Sequence, residues 1–303
     1  MRTGAWRSRI AQVVAEVDGL VPVVKGNGYG FGRIRLAEVA AEFADTVAVG
    51  TVHELDGLPP RLDVVVLTPT LAPPTVPPGA HEPILTVGRT EHLDALDGWG
   101  GRVIVKLETS LRRYGGDIGL VDVARERGLD VVGVALHPPI AGIADELARQ
   151  IVDALDVVDP ALPVWVSHLD PDRYAALPAT HTYRLRCGTM LWHGDKTALH
   201  LAADVLNVRE IEADTPAGYR QTTVPSAGHL VMIGAGTANG VTALADGRSP
   251  FHHARTRLAL LEPPHMHTSM AFVPDGDPVP SVGDWVDVQR PLHMTAVDDY
   301  RWL

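Results

Sequence analysis

Short apolar runs recur through the first two-thirds of the chain. They lack the alternation of polar and apolar residues, which is typical of strands buried on both faces of a parallel sheet. Eight runs are present, at 20–25, 46–50, 62–67, 82–87, 102–107, 130–136, 163–168 and 182–188. Apolar residues recur at helical spacing in 6–17, 36–43 and 143–157. Eight strands with interleaved helices predict an α/β fold, a (β/α)8 barrel of the TIM type, with a Rossmann sheet as the alternative.

The pattern changes after about residue 200. The segments 222–231, 257–261 and 285–289 indicate strands separated by Gly, Pro and Asp, and no long helical pattern accompanies them. We therefore predict two domains, a barrel over residues 1–200 and a smaller, mostly antiparallel β domain over residues 201–303.

Composition narrows the class of protein. Of the 303 residues, 46% are hydrophobic, enough for a large core. Lys and Arg number 26 against 37 Asp and Glu, a net charge of −11, which disfavours nucleic acid or an anionic membrane as partner. A single cysteine, Cys187, excludes an internal disulfide and fits a reducing compartment. No apolar run approaches the roughly 20 residues needed to cross a bilayer, and no signal peptide is apparent. We expect a cytoplasmic protein.

The most informative segment for chemistry is 23–32, Val-Val-Lys-Gly-Asn-Gly-Tyr-Gly-Phe-Gly. Lys25 stands at the carboxyl end of the first predicted strand, where barrel active sites are built. The glycines after it let the backbone approach a bound group closely. Residue types alone leave two interpretations open, an active-site lysine and a strand-end lysine that reaches solvent.

This segment resembles the Val-Val-Lys-Ala-Asn-Ala-Tyr-Gly-His-Gly signature of alanine racemases, which are pyridoxal 5'-phosphate (PLP) enzymes of fold type III. The resemblance recurs in order along most of the chain. It implies PLP as the cofactor, a small amino acid as the substrate, and a homodimer with a shared active site. By the same resemblance, Lys25 binds PLP covalently and moves the substrate α-proton, and Tyr29 hydrogen-bonds the cofactor phosphate.

A second matching segment, 105–115, is similar to the family's Val-Lys-x-Asp-Thr-Gly-Met-x-Arg-x-Gly. Arg113 takes the place of an arginine that contacts the cofactor and the substrate carboxylate, a role suited to a planar cationic fork. Lys106 matches a lysine that is carbamylated in some relatives. His137 aligns with a histidine that stacks beside the pyridine ring.

The last matching segment of the predicted barrel, 186–194, resembles the family's Arg-Pro-Gly-Ile-x-Leu-Tyr-Gly. The resemblance implies that Arg186 donates a hydrogen bond to the pyridine nitrogen and keeps it unprotonated. The backbone amides of Gly188 and Thr189 would hold the phosphate, as amides at the start of a helix can.

Two departures from the family pattern stand out. Asp170-Pro171 falls where relatives carry an Asn-Ser phosphate motif, and proline offers neither hydroxyl nor amide donor. Ser167 or His168 could substitute, although the spacing is wrong for a direct exchange. Thr237 falls where relatives carry the tyrosine that acts as second base, and a threonine hydroxyl has too high a pKa for that task.

Three histidines of the predicted β domain, His229, His265 and His267, are candidates to replace the tyrosine, because imidazole titrates near neutral pH. We assign His267 as the catalytic one, since it takes the place of an aspartate that lines the substrate pocket of relatives. His265 and His267 would share one face of a strand and could reach one metal ion. No third ligand is evident in the sequence, and we predict no metal.

The sequence therefore predicts a PLP-dependent isomerase, an amino-acid racemase. Thr237 and Pro171 motivate a second hypothesis, a PLP-binding protein without racemase activity, and the histidine pair motivates a third, a metal-assisted PLP lyase or aldolase of the same fold type. Relatives begin with an additional strand and end with a tyrosine-bearing segment, so we expect this chain to be shorter at both ends.

Overall fold

The computed structural model of the protein describes residues 1–76, 82–142 and 144–303. The chain divides into two compact units. One is Gly4–Asp195, and the other combines Met1–Thr3 with Lys196–Leu303. The assignment of a PLP-binding domain to residues 1–200 and of a β domain to residues 201–303 stays a prediction.

The first unit is built on eight parallel strands in one sheet. They are β1 Leu20–Pro22, β2 Thr46–Val49, β3 Asp63–Val66, β4 Ile84–Val87, β5 Arg102–Lys106, β6 Asp130–Ala135, β7 Val164–Ser167 and β8 Tyr183–Cys187. Strand β1 pairs with β8, and the order then descends to β2. A parallel bridge between Val23 and Ala48 joins β1 to β2 and nearly closes the barrel. Each predicted apolar run contains one strand, and the barrel prediction is confirmed.

Seven helices accompany these strands among the described residues. They are α1 Thr3–Glu16, α2 Arg33–Ala40, α3 Thr90–Asp94, α4 Leu120–Glu126, α5 Ala144–Leu155, α6 Pro171–Ala175 and α7 Thr189–Trp192. The helices predicted at 6–17, 36–43 and 143–157 correspond to α1, α2 and α5, and Ile143 itself lies outside the described residues. Helix α1 buries Trp6, Ile10 and Val13 along one face, as the spacing predicts. No helix among the described residues has the length and apolarity needed to cross a membrane.

Alternate residues of the barrel strands point inward and pack against one another. This interior cluster consists of Val21, Val23, Ala48, Val65, Ile84, Ile104, Ala135 and Trp165. Because small and branched side chains fill the middle of the barrel, polar side chains are left to the strand ends. The carboxyl ends of the strands are therefore where a site can form.

The second unit is an antiparallel sheet with two further short strands beside it. Its strands are β9 Ala202–Ile211, β10 Pro216–Ala217, β11 Thr222–Thr223, β12 Gly228–Ile233, β13 Phe251–His253, β14 Thr256–Arg257, β15 Ala259–Leu260, β16 Ser269–Pro274 and β17 Trp285–Val288. The seven-stranded sheet has the order β14-β13-β17-β9-β12-β16-β15, and β10 pairs with β11. The prediction of an antiparallel β domain is confirmed, and the segment 222–231 proves to hold two strands rather than one.

Candidate active site

A cavity of about 470 Å³ lies in the first unit, within the size range of small-molecule sites. Residues that follow β1, β6 and β7 line it together with residues at the end of β8. The lining includes six residues that the sequence predicts for the site, namely Lys25, Tyr29, His137, Arg186, Gly188 and Thr189. The barrel thus brings together residues that are up to 164 positions apart in the sequence. His193 Nε2 and the Tyr29 carbonyl oxygen, also 164 positions apart, are joined by a hydrogen bond of 2.8 Å.

The surroundings of Lys25 shift its equilibrium toward the neutral amine. Burial lowers the pKa of Lys25, the cations of Arg113 and Arg186 lower it further, and Glu54 opposes them. A carboxylate oxygen of Glu54 accepts a hydrogen bond from the Gly50 amide at 2.7 Å, which fixes this carboxylate near the lysine. A lysine whose pKa is lowered in this way is a better nucleophile and base than a solvated one.

Tyr29 and Gly188 share one corner of the cavity. A Cβ atom on Gly188 would lie 2.0 Å from the Tyr29 hydroxyl oxygen, so the phenol packs directly on this backbone. Burial raises the pKa of Tyr29 to about 12, and its hydroxyl therefore stays a donor at neutral pH. Helix α7 begins at Thr189, and the first amides of a helix have no acceptor within it. Hydroxyl and amide donors together suit an oxyanion such as phosphate.

Arg186 is a buried cation that contacts carbonyl groups. Its guanidinium donates hydrogen bonds to the carbonyl oxygens of Leu136 at 2.7 Å and Trp165 at 3.2 Å. Burial lowers the pKa of Arg186 to about 10, while Tyr114 opposes the shift. The group is thus charged at neutral pH, and no carboxylate among the described residues forms an ion pair with it.

The loop after β5 folds back onto the end of that strand. The Gly116 amide donates to the Lys106 carbonyl at 2.9 Å, and the Glu108 amide donates to the Gly116 carbonyl at 3.0 Å. Two cations lie against the ring of Tyr114 in this loop. Lys106 Nζ, at the end of β5, is 4.4 Å from the ring centre, and the Arg113 guanidinium carbon is 4.6 Å from it. Arg113 is exposed and stands on this ring, outside the residues that line the cavity.

Lys106 is almost completely buried beside these cations, with 3% of its surface exposed. Burial is the largest cause of a pKa lowered to about 7, and Arg186, Arg113 and Lys25 add to it. The barrel mouth therefore concentrates positive charge that a bound anion would stabilise.

His137 is neutral and oriented by its neighbours. Burial lowers its pKa to about 2, and the charge of Arg186 contributes. Its Nδ1 and the Ser167 hydroxyl are 2.8 Å apart, and its backbone carbonyl accepts a hydrogen bond from the Thr109 hydroxyl at 2.8 Å. Both contacts fix the ring at the cavity wall.

The family model described as alanine racemase, N-terminal domain, matches residues 2–195. The chain belongs to this family. No match was found among curated proteins.

Solved structures of similar fold are alanine racemases. The enzyme from Bartonella henselae with covalently bound pyridoxal phosphate superimposes with a TM-score of 0.71 at 16% identity, over 98% of this chain and 96% of that one. The biosynthetic enzyme from Pseudomonas aeruginosa gives 0.67 at 17%, with 98% of each chain covered. The enzyme from Clostridium difficile 630 gives 0.68 at 15%, over 95% and 85%. At these identities the likeness shows the fold of the alanine racemases.

The alanine racemase resemblance predicts a missing phosphate contact at Asp170-Pro171, and the structure uses this segment to start a helix. Asp170 caps α6 by accepting a hydrogen bond from the Arg173 amide at 2.9 Å, and Pro171 is the first helical residue. The Asp170 carboxylate also pairs with the Arg173 guanidinium. Both residues thus stabilise the helix start.

In the second unit, Thr237 lies beside the loop that carries His265 and His267. The Thr237 amide donates to the His265 carbonyl at 2.8 Å, and the Ala238 amide donates to the Met266 carbonyl at 2.8 Å. His267 is exposed on this loop. The assignments of Thr237 to the position of the second-base tyrosine and of His267 to catalysis stay predictions.

One premise of the metal hypothesis is wrong. His265 and His267 lie in the loop between β15 and β16, not on a strand, so strand geometry does not place them on a common face. His265 Nε2 instead contacts the buried Glu262 carboxylate at 2.5 Å. The described residues contain no group of three or more His, Cys, Asp or Glu side chains suited to a metal ion.

Two residues near the cavity were not predicted from the sequence. Glu54 influences the pKa of Lys25, and the Tyr114 ring lies against Lys106 and Arg113. His168, which the sequence offers only as a substitute phosphate contact, lines the cavity at a positive φ. Tyr114 immediately follows Arg113, so its chain position gave a signal. Glu54 gave none, because its role depends on a turn that brings it back to Gly50.

Proposed function

We propose that this protein is a PLP-dependent amino-acid racemase that acts at the α-carbon of a small amino acid. The observation that carries the proposal is the cavity at the strand ends, where Lys25, with a lowered pKa, faces a lining rich in donors and cations. Membership of the alanine racemase family supports it, as does the covalently bound pyridoxal phosphate of the Bartonella henselae enzyme.

The residues present fit this cofactor. Lys25 would hold it covalently, the Tyr29 hydroxyl and the amides of Gly188 and Thr189 would hold the phosphate, and Arg186 would donate to the pyridine nitrogen. The fit is supported by the Tyr29 hydroxyl that packs on Gly188 and by a buried guanidinium with no carboxylate partner. When bound, PLP supplies delocalisation of the electron pair left after an α-hydrogen is removed.

The charge of each remaining side chain would determine its role in proton transfer or substrate binding. Lys25, favoured as a neutral amine, takes or returns the α-proton. Arg113, an exposed guanidinium at the barrel mouth, binds the substrate carboxylate. Exchange of configuration needs a second proton carrier, which the sequence assigns to His267, acting with a partner subunit in a homodimer.

The chain contains only three lysines, Lys25, Lys106 and Lys196. Covalent attachment of PLP can therefore be assigned to one lysine without ambiguity. Protein incubated with PLP should show the visible absorbance of a lysine-bound cofactor, and borohydride reduction followed by peptide mass spectrometry should place the label on Lys25. Lys25→Ala should lose both signals. The matched control Lys196→Ala, at an exposed lysine of the second unit, should keep them.

Turnover separates the racemase from a PLP-binding protein without activity. Loaded protein in deuterium oxide should exchange the α-hydrogen of L- or D-alanine, or of another small amino acid, and interconvert the enantiomers. Absorbance without exchange for any common amino acid would overturn the racemase proposal and leave cofactor binding as the function.

The proposed homodimer is testable by mixing variants. If each site uses residues of two subunits, Lys25→Ala and His267→Asn are each inactive, and refolding them together restores part of the activity. Light scattering should give the mass of a dimer. A monomer, or a mixture with no restored activity, would contradict the shared site.

A further inference from the structure

His168 has a left-handed backbone conformation at the end of a barrel strand. Its φ of +65° is uncommon for a residue other than glycine, although histidine adopts it more readily than most side chains. The residue directly follows β7, whose last residue, Ser167, is buried. His168 lines the same cavity as Lys25.

The tautomer of His168 follows from one hydrogen bond. Its Nδ1 lies 2.8 Å from the carbonyl oxygen of Pro138, and because a carbonyl only accepts, this nitrogen carries the proton. Nε2 of the neutral ring then holds a lone pair. His168 therefore brings a neutral acceptor into a cavity that also holds the donors Lys25 and Arg186.

The groups that face His168 favour this neutral form. Burial lowers the pKa of His168, and the cations of Arg186 and Lys25 add to the effect, against the carbonyls of Pro138 and Pro139. The His137 ring packs edge-on at a centroid distance of 4.5 Å and is itself neutral. At neutral pH the imidazole can therefore accept a proton, and it can return one when charged.

The strand order sets His168 apart from Lys25 around the barrel. Strand β8 pairs with β1 on one side and with β7 on the other. Lys25 follows β1, His168 follows β7, and Arg186 belongs to β8 between them. The two groups thus approach the cavity from the two sides of the strand that carries Arg186.

We infer that His168, in place of the His267 that the sequence suggests, is the second proton carrier of this cavity, working opposite Lys25 on the α-carbon of the bound amino acid. The inference rests on the proposed racemase function. In one direction the α-C–H bond breaks, a bond from the proton to His168 Nε2 forms, and the electron pair stays with the substrate. A proton from the charged Lys25 amine then bonds to the same carbon. The reverse direction exchanges the two roles, and solvent restores both groups between turnovers.

The first test needs neither cofactor nor substrate. Nitrogen-15 NMR of the imidazoles in the unloaded protein should show His168 neutral at pH 7 with its proton on Nδ1, assigned by comparison with His168→Asn. A charged ring, or a proton on Nε2, would overturn the inference.

The second test uses His168→Asn in the loaded enzyme. Asparagine tolerates a positive φ and cannot carry the proton. We expect unchanged visible absorbance and PLP affinity, and a racemisation rate lower by about 10² to 10⁴-fold. Exchange of the α-hydrogen should survive for the enantiomer deprotonated by Lys25 and be lost for the other. The matched control His181→Asn removes a histidine bonded to the Val158 carbonyl away from the cavity lining and should change neither rate.

The outcomes separate His168 from the alternatives. Full racemisation in His168→Asn, or loss of activity only in His267→Asn, would overturn the inference and leave the racemase proposal intact. Weaker PLP affinity with unchanged turnover at saturation would identify His168 as a phosphate ligand instead. Absence of lysine-bound PLP in the unaltered protein would overturn the proposed function itself.

Discussion

At the scale of single residues, the contact between Tyr29 and Gly188 shows how closely the cavity is packed. The glycine has a negative φ of −118°, and the space that its missing side chain leaves is occupied by the Tyr29 phenol. A side chain there would collide with the Tyr29 ring and hydroxyl. Two residues far apart in sequence are thus constrained by one another.

Gly188→Ala should therefore destabilise the protein by about 1–3 kcal/mol through overpacking and should weaken PLP binding. Urea unfolding and a PLP titration measure the two effects. Adding Tyr29→Ala should recover much of the stability, because it removes the colliding atoms. Gly4→Ala, with no atom near its would-be Cβ, serves as control. Wild-type stability in Gly188→Ala would refute the packing argument.

Lys106 should make the stability of the unloaded protein depend on pH. Its pKa is about 7 in the folded protein and 10.5 in the reference state. Between these values the unfolded chain binds a proton that the folded protein lacks, so the free energy of unfolding rises with pH, by at most about 1.4 kcal/mol per pH unit. Below pH 7 both states are protonated, and this slope vanishes.

Lys106→Met removes the titrating group while keeping an apolar stem of similar length. Urea unfolding across pH 7 to 10 should show a smaller rise in stability for the variant than for the wild type. Equal slopes in the two proteins would mean that Lys106 stays charged when buried. Lys25 is present in both proteins and cancels in the comparison.

Several residues that the sequence motifs predict for the site line the cavity, because the chemistry behind each motif requires one residue type at one place. Lys25 and Arg186 stand at strand ends in recognisable strings, and the cavity includes both. The contacts that these residues make in the fold could not be predicted from the sequence. The position of Arg113 on Tyr114 depends on the path of a loop, and that of Thr237 beside His265 depends on two loops that meet only in the fold.

At the scale of elements, α7 is tied to the end of β1 by a tryptophan. Trp192 Nε1 donates to the Val23 carbonyl at 2.8 Å, and the Trp192 carbonyl accepts from Trp6 Nε1 at 2.9 Å. Both indoles are almost fully buried. Helix α7, whose first residue Thr189 lines the cavity, is thereby held against the strand that precedes Lys25.

Trp192→Phe should cost about 1–3 kcal/mol in the free energy of unfolding, because the buried Val23 carbonyl loses its donor. It should also lower PLP affinity, since β1 and α7 lose their connection. Chemical denaturation and the visible absorbance titration report the two effects. Trp285→Phe, at a half-exposed indole of the second unit, should alter neither. Unchanged PLP affinity in Trp192→Phe would argue that α7 is positioned by packing alone.

Element prediction was accurate where burial is simple. Most of the barrel strands are covered on both faces, so their segments are rich in Val, Ile and Leu. Strand β8 is the exception, because Arg184 and Arg186 alternate with its apolar residues. Strand β9, at the centre of the second sheet, was missed because only its first half is buried and its second half carries polar residues. A strand that is partly exposed along its length gives neither a continuous run nor a clean alternation.

At the scale of the whole molecule, the charges are separated. The chain carries −11 overall, yet four basic groups, Lys25, Lys106, Arg113 and Arg186, cluster at the barrel mouth beside the carboxylates of Glu54 and Asp170. The acidic remainder disfavours anionic polymers, while the mouth favours a small anion. The net charge alone argues against an anionic ligand, whereas this local cluster of basic groups favours a phosphorylated cofactor.

PLP should therefore raise the thermal unfolding midpoint of the protein, with a stabilisation of about 2.7 kcal/mol at a hundredfold excess over Kd. Pyridoxal, which lacks the phosphate, should stabilise it much less. Differential scanning calorimetry in both ligands measures this, and Lys25→Ala shows how much of the effect needs the covalent link. Equal stabilisation by the two ligands would contradict a phosphate site at Tyr29, Gly188 and Thr189.

The incomplete closure of the barrel has a consequence for motion. Between β1 and β2, pairing in the described residues consists of the single bridge of Val23 and Ala48, with the Val24 amide bonded to Ala48, whereas β2 and β3 share four pairs. Few hydrogen bonds need to break for β1 and β2 to separate locally. Amide hydrogen exchange at Val24 should therefore be faster than exchange in β5 and β6. The backbone beside Lys25 can then open locally while β5 and β6 stay protected.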